Sequence, residues 1–590
     1  MPTISVNRDV LFSLLGRSFT KEEFEELCFE FGIELDEETT ESQLCISAKG
    51  ETSQNVQVSD VDTVIYRIEV SANRIDLLCV EGLARALRTF MYEDEALPVF
   101  KPITSLPTIE VNVSSSTSSV RPYIVAAVLE NVTFTPESYK SFIDLQDKLH
   151  QNYCRRRTLV AIGTHDLDTL TPPFLYTSKA TKDISFVALN QTEEKTADAL
   201  LASFSEPGHY LRPYVNIVQD HSNFPVIYDS KGILLSLPPV INGDYSKIKT
   251  STRNIFVECT AVDRTKAYDV LATIVSVFSG LCESMFSYRP VTINYSDGSV
   301  DLTPRMESRN VDVSLSSIRQ MIGVDISVDD AVKYLKKMML PSVSSSSSTL
   351  SVTIPPTRTD VLHPCDVVED ATVAFGFSKI PKKLPEFITF GQELPSTELV
   401  EQLRIAVSTM GFVEISTFTL ISAQDYAFNL GIEDDGVIVA NPKGSDFERV
   451  RKSLIPGLLK TAGHNKGLAR PLKLFEIGDV VVLDSNDENG AINKLKFGAL
   501  FSSVTAGFEY LHGVVDRLTL WLGLSPNQLK LVDQSKSYLI EGNQASIVYT
   551  NSQGIETVVG EFGVVSIPVL KNFDCAFPCS VLEIDLECFV

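Results

Sequence analysis

The amino-acid sequence predicts a multidomain protein of mixed α/β and α+β class that contains repeated small α/β modules. The chain has 590 residues and is 44% hydrophobic, and a single core rarely grows to that size, so we expect several domains. Strand-like apolar segments alternate along the chain with segments whose apolar residues recur at helical spacing. A predicted helix, a predicted strand and a second predicted helix follow one another from near residue 30, and again from near residue 335. This recurrence indicates a repeat.

The first module opens on a helix start signal. Thr20 and Glu23 have the spacing of a capping box, and Gly32 is placed to end the helix that follows. The segment NVQVSDVDTVIYRIEV (55–70) alternates apolar and polar residues, as strands do. Asp76 then precedes a second amphipathic segment, and we predict that it is the N-cap of that helix.

The same pattern returns in the second half of the chain. Ser327 and Asp330 open a helix, the segment TLSVTIPP (349–356) is a predicted strand, and another amphipathic segment follows it. Immediately before the last helix of each copy, Arg74-Ile-Asp76 corresponds to Arg358-Thr-Asp360. We interpret this as a diverged repeat of one module, with chance similarity over a few residues as the alternative.

Composition restricts the class of protein. The net charge is −25, so nucleic acid would bind only through a local basic patch or a partner chain. The longest apolar run, VLATIVSVFSGL (270–281), is too short to cross a membrane, and the N-terminus lacks the features of a signal peptide. Ten cysteines are scattered without metal-ligand spacing, which favours a reducing, cytosolic compartment.

The segment PPTRTDVLHPCDVVEDATVAFGF (355–377) concentrates negative charge. Asp360, Asp366, Glu369 and Asp370 lie within eleven positions, and no Lys or Arg stands among them. One explanation is a solvated helix face whose acids favour the helix N-terminus. The other is a hard cation such as Mg²⁺, which prefers oxygen ligands.

Three further features are candidates for function. Asp244 follows an Asn-Gly turn and either bonds its own backbone there or lines a pocket. Glu258 lies in a strand between two apolar residues, where it faces either solvent or a site. Residues 155–157 are three consecutive arginines after a predicted helix, where they suit the helix dipole or contact phosphate.

The chain lacks the sequence signatures of an ATP site. No GxxxxGK[ST] loop is present. Arg451 stands where an Arg-x-Glu signature would begin, but Ser453 takes the place of its Glu. The segment SVTAGFEYLHGVVDRL (503–518) is a weak match to the late glycine-rich strand that ends in Arg.

Six segments in this order resemble the β subunits of phenylalanyl-tRNA synthetases of the archaeal and eukaryotic cytosolic type. They are RPYIVAAVLENV (121–132), LQDKLHQNYCRRRTLVAIGTHDLD (145–168), FPVIYDSKGILLSLPPVINGDYSKI (224–248), PPTRTDVLHPCDVVEDATVAFGFSKIP (355–381), RKSLIPGLLKTAGHN (451–465) and KLFEIGDV (473–480). The resemblance covers nearly the whole chain. Two domains of the longer bacterial β chains, a tRNA-binding-like insertion and a C-terminal ferredoxin-like domain, are expected to be absent.

The resemblance implies a subunit of an α2β2 ligase that joins phenylalanine to tRNA(Phe) at the expense of ATP, with the aminoacylation site in the α partner. It implies four parts in this chain. They are an N-terminal α/β module (1–110), an editing domain that hydrolyses mischarged tyrosyl-tRNA (120–290), a second small module (300–380) and a catalytically silent class II synthetase-like domain built on an antiparallel sheet (383–590).

The resemblance also assigns residues. Asp244 and Glu258 match the editing pocket, whereas Asp360, Asp366, Glu369 and Asp370 match ligands of a Mg²⁺ ion shared with the α subunit. No membrane association is expected. A non-catalytic tRNA-binding or scaffold protein that kept the fold is the alternative function.

Overall fold

The computed structural model describes residues 2–43, 63–92, 95–346, 348–384 and 389–589. Contacts divide the chain into two units, Met1–Lys383 and Leu384–Val590. The finer division of the first unit into three domains stays a prediction. Within the described ranges, no helix is both long and apolar enough to cross a bilayer.

The first module combines a three-stranded sheet with helices. The strands are β1 (Thr3–Asn7), β2 (Glu34–Thr40) and β3 (Val64–Glu69), in the order β1-β3-β2, and the helices are α1 (Arg8–Leu15), α2 (Lys21–Phe31) and α3 (Val80–Met91). The predicted capping box is confirmed, because Thr20 and Glu23 bond each other's backbone, and Gly32 ends α2 at φ +91°. Of the predicted strand segment 55–70, the part before residue 63 lies outside the described residues.

Asp76 is not the N-cap that the sequence suggested. Helix α3 begins after Cys79, and Asp76 lies in a single 3₁₀ turn, Ile75–Leu77. Its carboxylate is instead bound by Arg74, whose Nε and Nη2 lie 2.9 Å from its two oxygens. The prediction was wrong because a cation two residues away competes for the carboxylate more strongly than free backbone N–H groups do.

The middle of the first unit is built on an 11-stranded sheet. The central strand order is β13-β12-β11-β8-β5-β15-β6-β14-β7, with β4 and β16 also paired to β15. The strands are β4 (Lys101–Pro102), β5 (Ile109–Val113), β6 (Tyr123–Leu129), β7 (Val160–Asp166), β8 (Phe174–Lys179), β9 (Ser185–Val187), β10 (Glu194–Thr196), β11 (Phe224–Tyr228), β12 (Leu234–Leu237), β13 (Ile241–Asn242), β14 (Ile255–Ala261), β15 (Ser287–Tyr295) and β16 (Val300–Thr303), of which β9 and β10 form a separate hairpin. The helices are α4 (Pro136–Gln151), α5 (Ala197–Phe204), α6 (Arg212–Val215) and α7 (Arg264–Phe278).

The two faces of this sheet carry different environments. Successive side chains of a strand point to opposite faces. Val257 and Cys259 of β14 join the core under the helices α4 and α7. Phe256 joins a separate core on the other face, and Glu258 shares that face with it. We call this second face the inner face.

The second small module repeats the first. Its strands are β17 (Arg309–Ser314), β18 (Ser342–Ser346) and β19 (Thr349–Ile354), in the order β17-β19-β18, and its helices are α8 (Leu315–Ile322), α9 (Val328–Lys337) and α10 (Pro364–Phe375). Strand order and helix placement match those of the first module. The repeat is therefore confirmed, and chance similarity is excluded as its explanation.

The two modules pack against each other reciprocally. The third helix of each contacts the second helix of the other, α10 with α2 and α3 with α9, which is the arrangement that a local twofold axis produces. Arg358 binds Asp360 through Nε and Nη2 at 3.0 and 2.8 Å, just as Arg74 binds Asp76. Arg358 also reaches Asp370 of α10 at 2.5 Å.

The charges of the two modules influence each other. Burial disfavours a charged guanidinium, yet Asp370, Asp360 and Asp76 together hold the pKa of Arg358 above its ordinary value. Burial likewise opposes ionisation of Asp360, but Arg358 and then Arg74 hold its pKa below its ordinary value. The two Arg-x-Asp pairs therefore form one buried charge cluster at the joint between the modules.

The second unit is a seven-stranded sheet in the order β20-β23-β24-β28-β27-β26-β25, which is antiparallel except for the β20–β23 pair. Its strands are β20 (Val413–Glu414), β23 (Leu472–Leu483), β24 (Ala491–Ser502), β25 (Leu529–Val532), β26 (Leu539–Thr550), β27 (Glu556–Val565) and β28 (Cys579–Asp585), and a separate ribbon pairs β21 (Leu420–Ile421) with β22 (Arg449–Val450). The helices are α11 (Pro395–Thr409), α12 (Ile455–His464), α13 (Phe508–Trp521) and α14 (Ile567–Asn572). The predicted antiparallel-sheet domain is confirmed.

Replacing Arg358 with Met should destabilise the joint, because it leaves Asp360 and Asp370 buried without the guanidinium that bonds them. Loss of one partner from a buried ion pair costs about 3–5 kcal/mol. We expect a loss of this size in the opening free energy of α9 and α10, measured by native-state hydrogen exchange on the full chain. Arg309→Met is the control, since Arg309 is exposed in the same module. Equal protection in both variants would contradict the assignment.

Candidate functional site

Glu258 lies at the inner face of the sheet, where small residues make room for it. In the strand pairing it stands opposite Ala126 of β6 on one side and Gly163 of β7 on the other. It is 1% exposed, so the alternative of a solvent-facing strand position is wrong. A Cβ at Gly163 would lie 2.2 Å from Oε1 of Glu258, and glycine is therefore required for this carboxylate to occupy its position.

Three polar side chains contact Glu258 directly or through one another, and together with Glu258 they are called the Glu258 cluster. Ser236 of β12 donates a hydrogen bond to its Oε1 at 2.8 Å. The Nε2 atom of His165 lies 3.9 Å from the same oxygen, and the other ring nitrogen, Nδ1, is 2.8 Å from Oγ of Ser246. Strand β7 thus supplies both the glycine and the histidine, because residues 163 and 165 point to one face.

Two polar atoms of the Glu258 cluster have no hydrogen-bond partner among the described residues. They are Oε2 of Glu258 and Nε2 of His165, and both side chains are buried. A buried polar atom without a partner costs about 1–3 kcal/mol. These two unpartnered atoms are therefore a candidate binding site for a ligand that carries a hydroxyl group.

Asp244 lies outside the Glu258 cluster, in the loop that follows β13. Its carboxylate accepts from the backbone N–H of Asn190 at 2.9 Å and from the ammonium of Lys247 at 2.9 and 3.2 Å. The bond from Lys247 and then that from Asn190 lower its pKa. Asp244 therefore does not bond its own turn through its side chain. It holds two loops together, and Ser246, two residues later, contacts the histidine beside Glu258.

The four acidic residues predicted to bind a metal have different partners in this structure, although Asp360 and Asp370 meet on one arginine. Asp360 and Asp370 are bound by Arg358. Asp366 caps helix α10, where its Oδ2 accepts from the N–H groups of Leu362 and His363 at 2.7 and 2.8 Å. Glu369 is exposed. Among the described residues, no three His, Cys, Asp or Glu side chains are placed to hold one ion.

Ionisation at the acidic helix follows from these contacts. Burial raises the pKa of Asp370 to about 6, and the charges of Arg358 and Arg74 only partly oppose this effect. For Asp366, burial is outweighed by the two backbone N–H groups, and its pKa is lowered. The carboxylate crowding is therefore relieved within the chain by a buried arginine and a helix cap, and the assignment of these residues to a Mg²⁺ ion shared with the α subunit stays a prediction.

The second unit contains a cavity of about 580 Å³ whose charges are paired internally. Each of the four lysines that line it forms an ion pair with a carboxylate. The pairs are Lys452–Asp435, Lys494–Asp585, Lys496–Glu583 and Lys536–Glu561. Arg451, the candidate signature arginine, is buried, and its Nη1 donates to Glu476 at 2.6 Å. The cavity therefore offers a triphosphate no uncommitted cation among its lysines.

Sequence reasoning missed His165, Ser236, Ser246 and the role of Arg358. The signal for His165 was its spacing of two from Gly163 in VAIGTHD, which places both on one face of a strand. The serines come from separate loops and strands, and nothing local marks them. Arg358 was visible at the edge of the acidic segment, but its pairing with Asp370 depends on how α10 folds back.

Family models match four consecutive parts of the chain. They are the Phe-tRNA synthetase beta subunit B1 domain at residues 1–93, the B3/4 domain at 120–272, the tRNA synthetase B5 domain at 311–377 and the phenylalanyl tRNA synthetase beta chain CLM domain at 380–586. Glu258 and Asp244 fall in the B3/4 match, and the acidic helix falls in the B5 match.

Full-length relatives agree with these matches. The cytoplasmic phenylalanine–tRNA ligase beta subunit of Arabidopsis thaliana is 44% identical, and those of Mus musculus and Homo sapiens are 43% and 42% identical, each with all of both chains covered. An N-terminal fragment of the phenylalanyl-tRNA synthetase β subunit from Pyrococcus horikoshii aligns with 28% identity and a TM-score of 0.55, covering 63% of this chain and 99% of that one. The chain belongs to the family of phenylalanine–tRNA ligase β subunits.

Proposed function

We propose that this β subunit hydrolyses mischarged tyrosyl-tRNA in its 11-stranded domain, while the α partner of an α2β2 tetramer carries out aminoacylation. The observation that carries the proposal is the buried carboxylate of Glu258, whose Oε2 has no partner among the described residues. Tyrosine differs from phenylalanine by one hydroxyl group. An acceptor held in a buried position is what a site needs to select that hydroxyl.

Glu258 and Asp244 have different roles in this proposal. Glu258 accepts the phenolic hydroxyl, and Ser236 and Gly163 hold its carboxylate in place. Asp244 keeps the loops around residues 190 and 247 closed beside the site. Neither residue acts as a general base in this proposal.

The second unit supports the division of labour. Its cavity is lined by four lysines and five carboxylates, Glu433, Asp435, Glu561, Glu583 and Asp585, so its net charge repels a triphosphate. The substrate ATP is therefore assigned to the α subunit. We propose that a Mg²⁺ ion shared with the α subunit binds at the acidic segment, where Asp360 and Asp370 also pair with Arg358.

Partners and location follow from the relatives. They are named β subunits, so we propose an α subunit and tRNA(Phe) as partners. One of them is named cytoplasmic, and we propose the same location, without membrane association. The alternative is a non-catalytic tRNA-binding or scaffold protein, in which Glu258 and Asp244 are only structural.

Glu258→Gln should slow deacylation of preformed tyrosyl-tRNA by about tenfold or more, since the single acceptor oxygen of Gln is taken by Ser236 and an unpaired buried hydroxyl costs about 1–3 kcal/mol. Asp244→Ala should also slow it, through the loosened loops. Phenylalanine charging by the holoenzyme should stay nearly intact in both variants. Glu110→Gln, an exposed carboxylate on the same sheet, is the control. Unchanged deacylation in Glu258→Gln would favour the scaffold alternative.

Gly163→Ala should impair the same reaction by a different route. Its Cβ would lie 2.2 Å from Oε1 of Glu258 and 3.0 Å from Nε2 of His165, so the carboxylate must move. We expect slowed deacylation with charging retained, measured on the holoenzyme. Gly513→Ala is the matched control, because its Cβ would meet nothing within 4 Å. Wild-type deacylation in Gly163→Ala would show that the position of Glu258 does not matter.

The isolated chain should not form phenylalanyl-adenylate, because its lysines and Arg451 are committed to carboxylates. The measurement is phenylalanine-dependent exchange of pyrophosphate into ATP, with the complete α–β enzyme as positive control. Exchange by the folded β chain alone, above a protein-free background, would show that the second unit is not silent.

A further inference from the structure

Helix α2 carries an exposed phenylalanine among glutamates. Phe29 is 77% exposed. Glu25 and Glu26 lie one turn before it on the same side of the helix, and Glu22 lies one turn further back, because residues three and four apart are neighbours on a helix. A groove of about 770 Å³ runs beside these four residues, and we call it the α2 groove.

Apolar residues also line the α2 groove. Ile33, immediately before strand β2, and Leu35, within it, belong to its lining. On the other side of Phe29 lies a second cavity of about 450 Å³, lined by Phe90 and by the exposed ring of Phe377. Phe29 lines both cavities, so the apolar surface extends beyond a single exposed side chain. Continuous apolar surface of this kind, rimmed by polar groups, marks a protein interaction site.

The charged residues that line the α2 groove are all acidic. They are Glu22, Glu25, Glu26 and Glu34. Among the described residues, only Glu25 of these four has an ion-pair partner, Lys21 at 3.7 Å, and both side chains are exposed. Glu34 stands directly opposite Glu69 in the pairing of β2 with β3, where like charges destabilise a sheet. Two of the helix glutamates lie four residues apart and repel each other as well. The groove therefore holds negative charge that the described chain does not neutralise.

The acidic character ends at Phe29. Lys337 and Lys379 line the second cavity, and Glu30 is the one carboxylate among its described lining residues. The ammonium of Lys337 lies 5.8 Å from the ring centre of Phe90. Neither lysine forms an ion pair with a glutamate of the α2 groove within the described ranges. A partner that sits in the α2 groove must therefore supply its own cations there.

We propose that the α2 groove docks a basic amphipathic segment of a different protein chain. An apolar side chain of the segment packs on Phe29, and its lysines or arginines face the glutamates. Opposite charges steer such a segment to the groove, and a buried aromatic contact then holds it. A nucleic acid does not fit, because the carboxylates repel its phosphates. The proposal is independent of the editing proposal, whose residues lie in the 11-stranded domain.

The test is titration of a fluorescent synthetic peptide into the full chain purified with its α partner. The peptide carries leucine and lysine at helical spacing, and a matched peptide has glutamate in place of every lysine. Phe29→Gln should weaken binding of the lysine peptide by about tenfold or more, the loss typical of an aromatic anchor. The double variant Glu26→Gln with Glu34→Gln should also weaken it and should reduce its dependence on salt, because fewer charges are left to be screened.

Two control variants match these changes. Met321→Gln removes another apolar side chain from a helix, since Met321 is 72% exposed on α8. Glu206→Gln with Glu488→Gln removes two exposed carboxylates that do not line the groove. Weakened binding in both groove variants, with wild-type binding in both controls, supports the proposal. Equal weakening in the controls, or equal binding of the glutamate peptide, overturns it.

Carbodiimide coupling identifies the occupant if the wild-type assembly binds neither peptide. The reagent joins a carboxylate to a lysine amine that contacts it, and mass spectrometry locates the amide. A link from Glu26 to a lysine of the α partner supports the proposal, because the basic segment is then already in place. A link to a second copy of this chain, recognised by mixing isotope-labelled and unlabelled chains, overturns the proposed partner. The absence of any link from the groove to another chain overturns the proposal as a whole.

Discussion

The buried guanidinium of Arg358 is the interaction on which the architecture of the first unit depends. It binds Asp360 within its own module and Asp370 on the last helix of that module, and it lies within electrostatic reach of Asp76 of the first module. A buried charge is stable only where its partners surround it. Each Arg-x-Asp pair forms within its own module, and where the two modules pack, the charges of Asp76 and Arg74 add to those that act on Arg358 and Asp360.

In the sequence, the 11-stranded domain lies between the two modules that meet at this joint. The 11-stranded sheet is formed by the chain that leaves the first module and returns to the second. Its edge strand β7 carries Gly163 and His165 on the inner face, beside Glu258, and Ile162 on the helix-covered face. This division results from strand alternation, because successive side chains point to opposite faces.

The cavity of the second unit is lined by charges that pair with one another. Every lysine that lines it has a carboxylate partner. A phosphate would have to displace these partners before it could bind. The charges of the pocket therefore stabilise the domain, and the hydroxyl-selecting chemistry proposed for this chain lies in the other unit.

The sequence by itself determined what depends on neighbours in the chain. Thr20 and Glu23 fixed the start of α2, Pro364 fixed that of α10, and the recurrence of Arg-x-Asp before a helix predicted the repeat, because caps and periodicity are local properties. The tertiary structure alone decided which partners the charges take. The acidic segment predicted a metal from spacing alone, whereas only the tertiary structure shows that Arg358 pairs with Asp360 and Asp370. Ser236, His165 and Ser246 join Glu258 from three separate segments, and Asp244 turned out to bind Lys247 and Asn190. Local patterns cannot predict such contacts, since they arise only when the sheet brings distant strands and loops together.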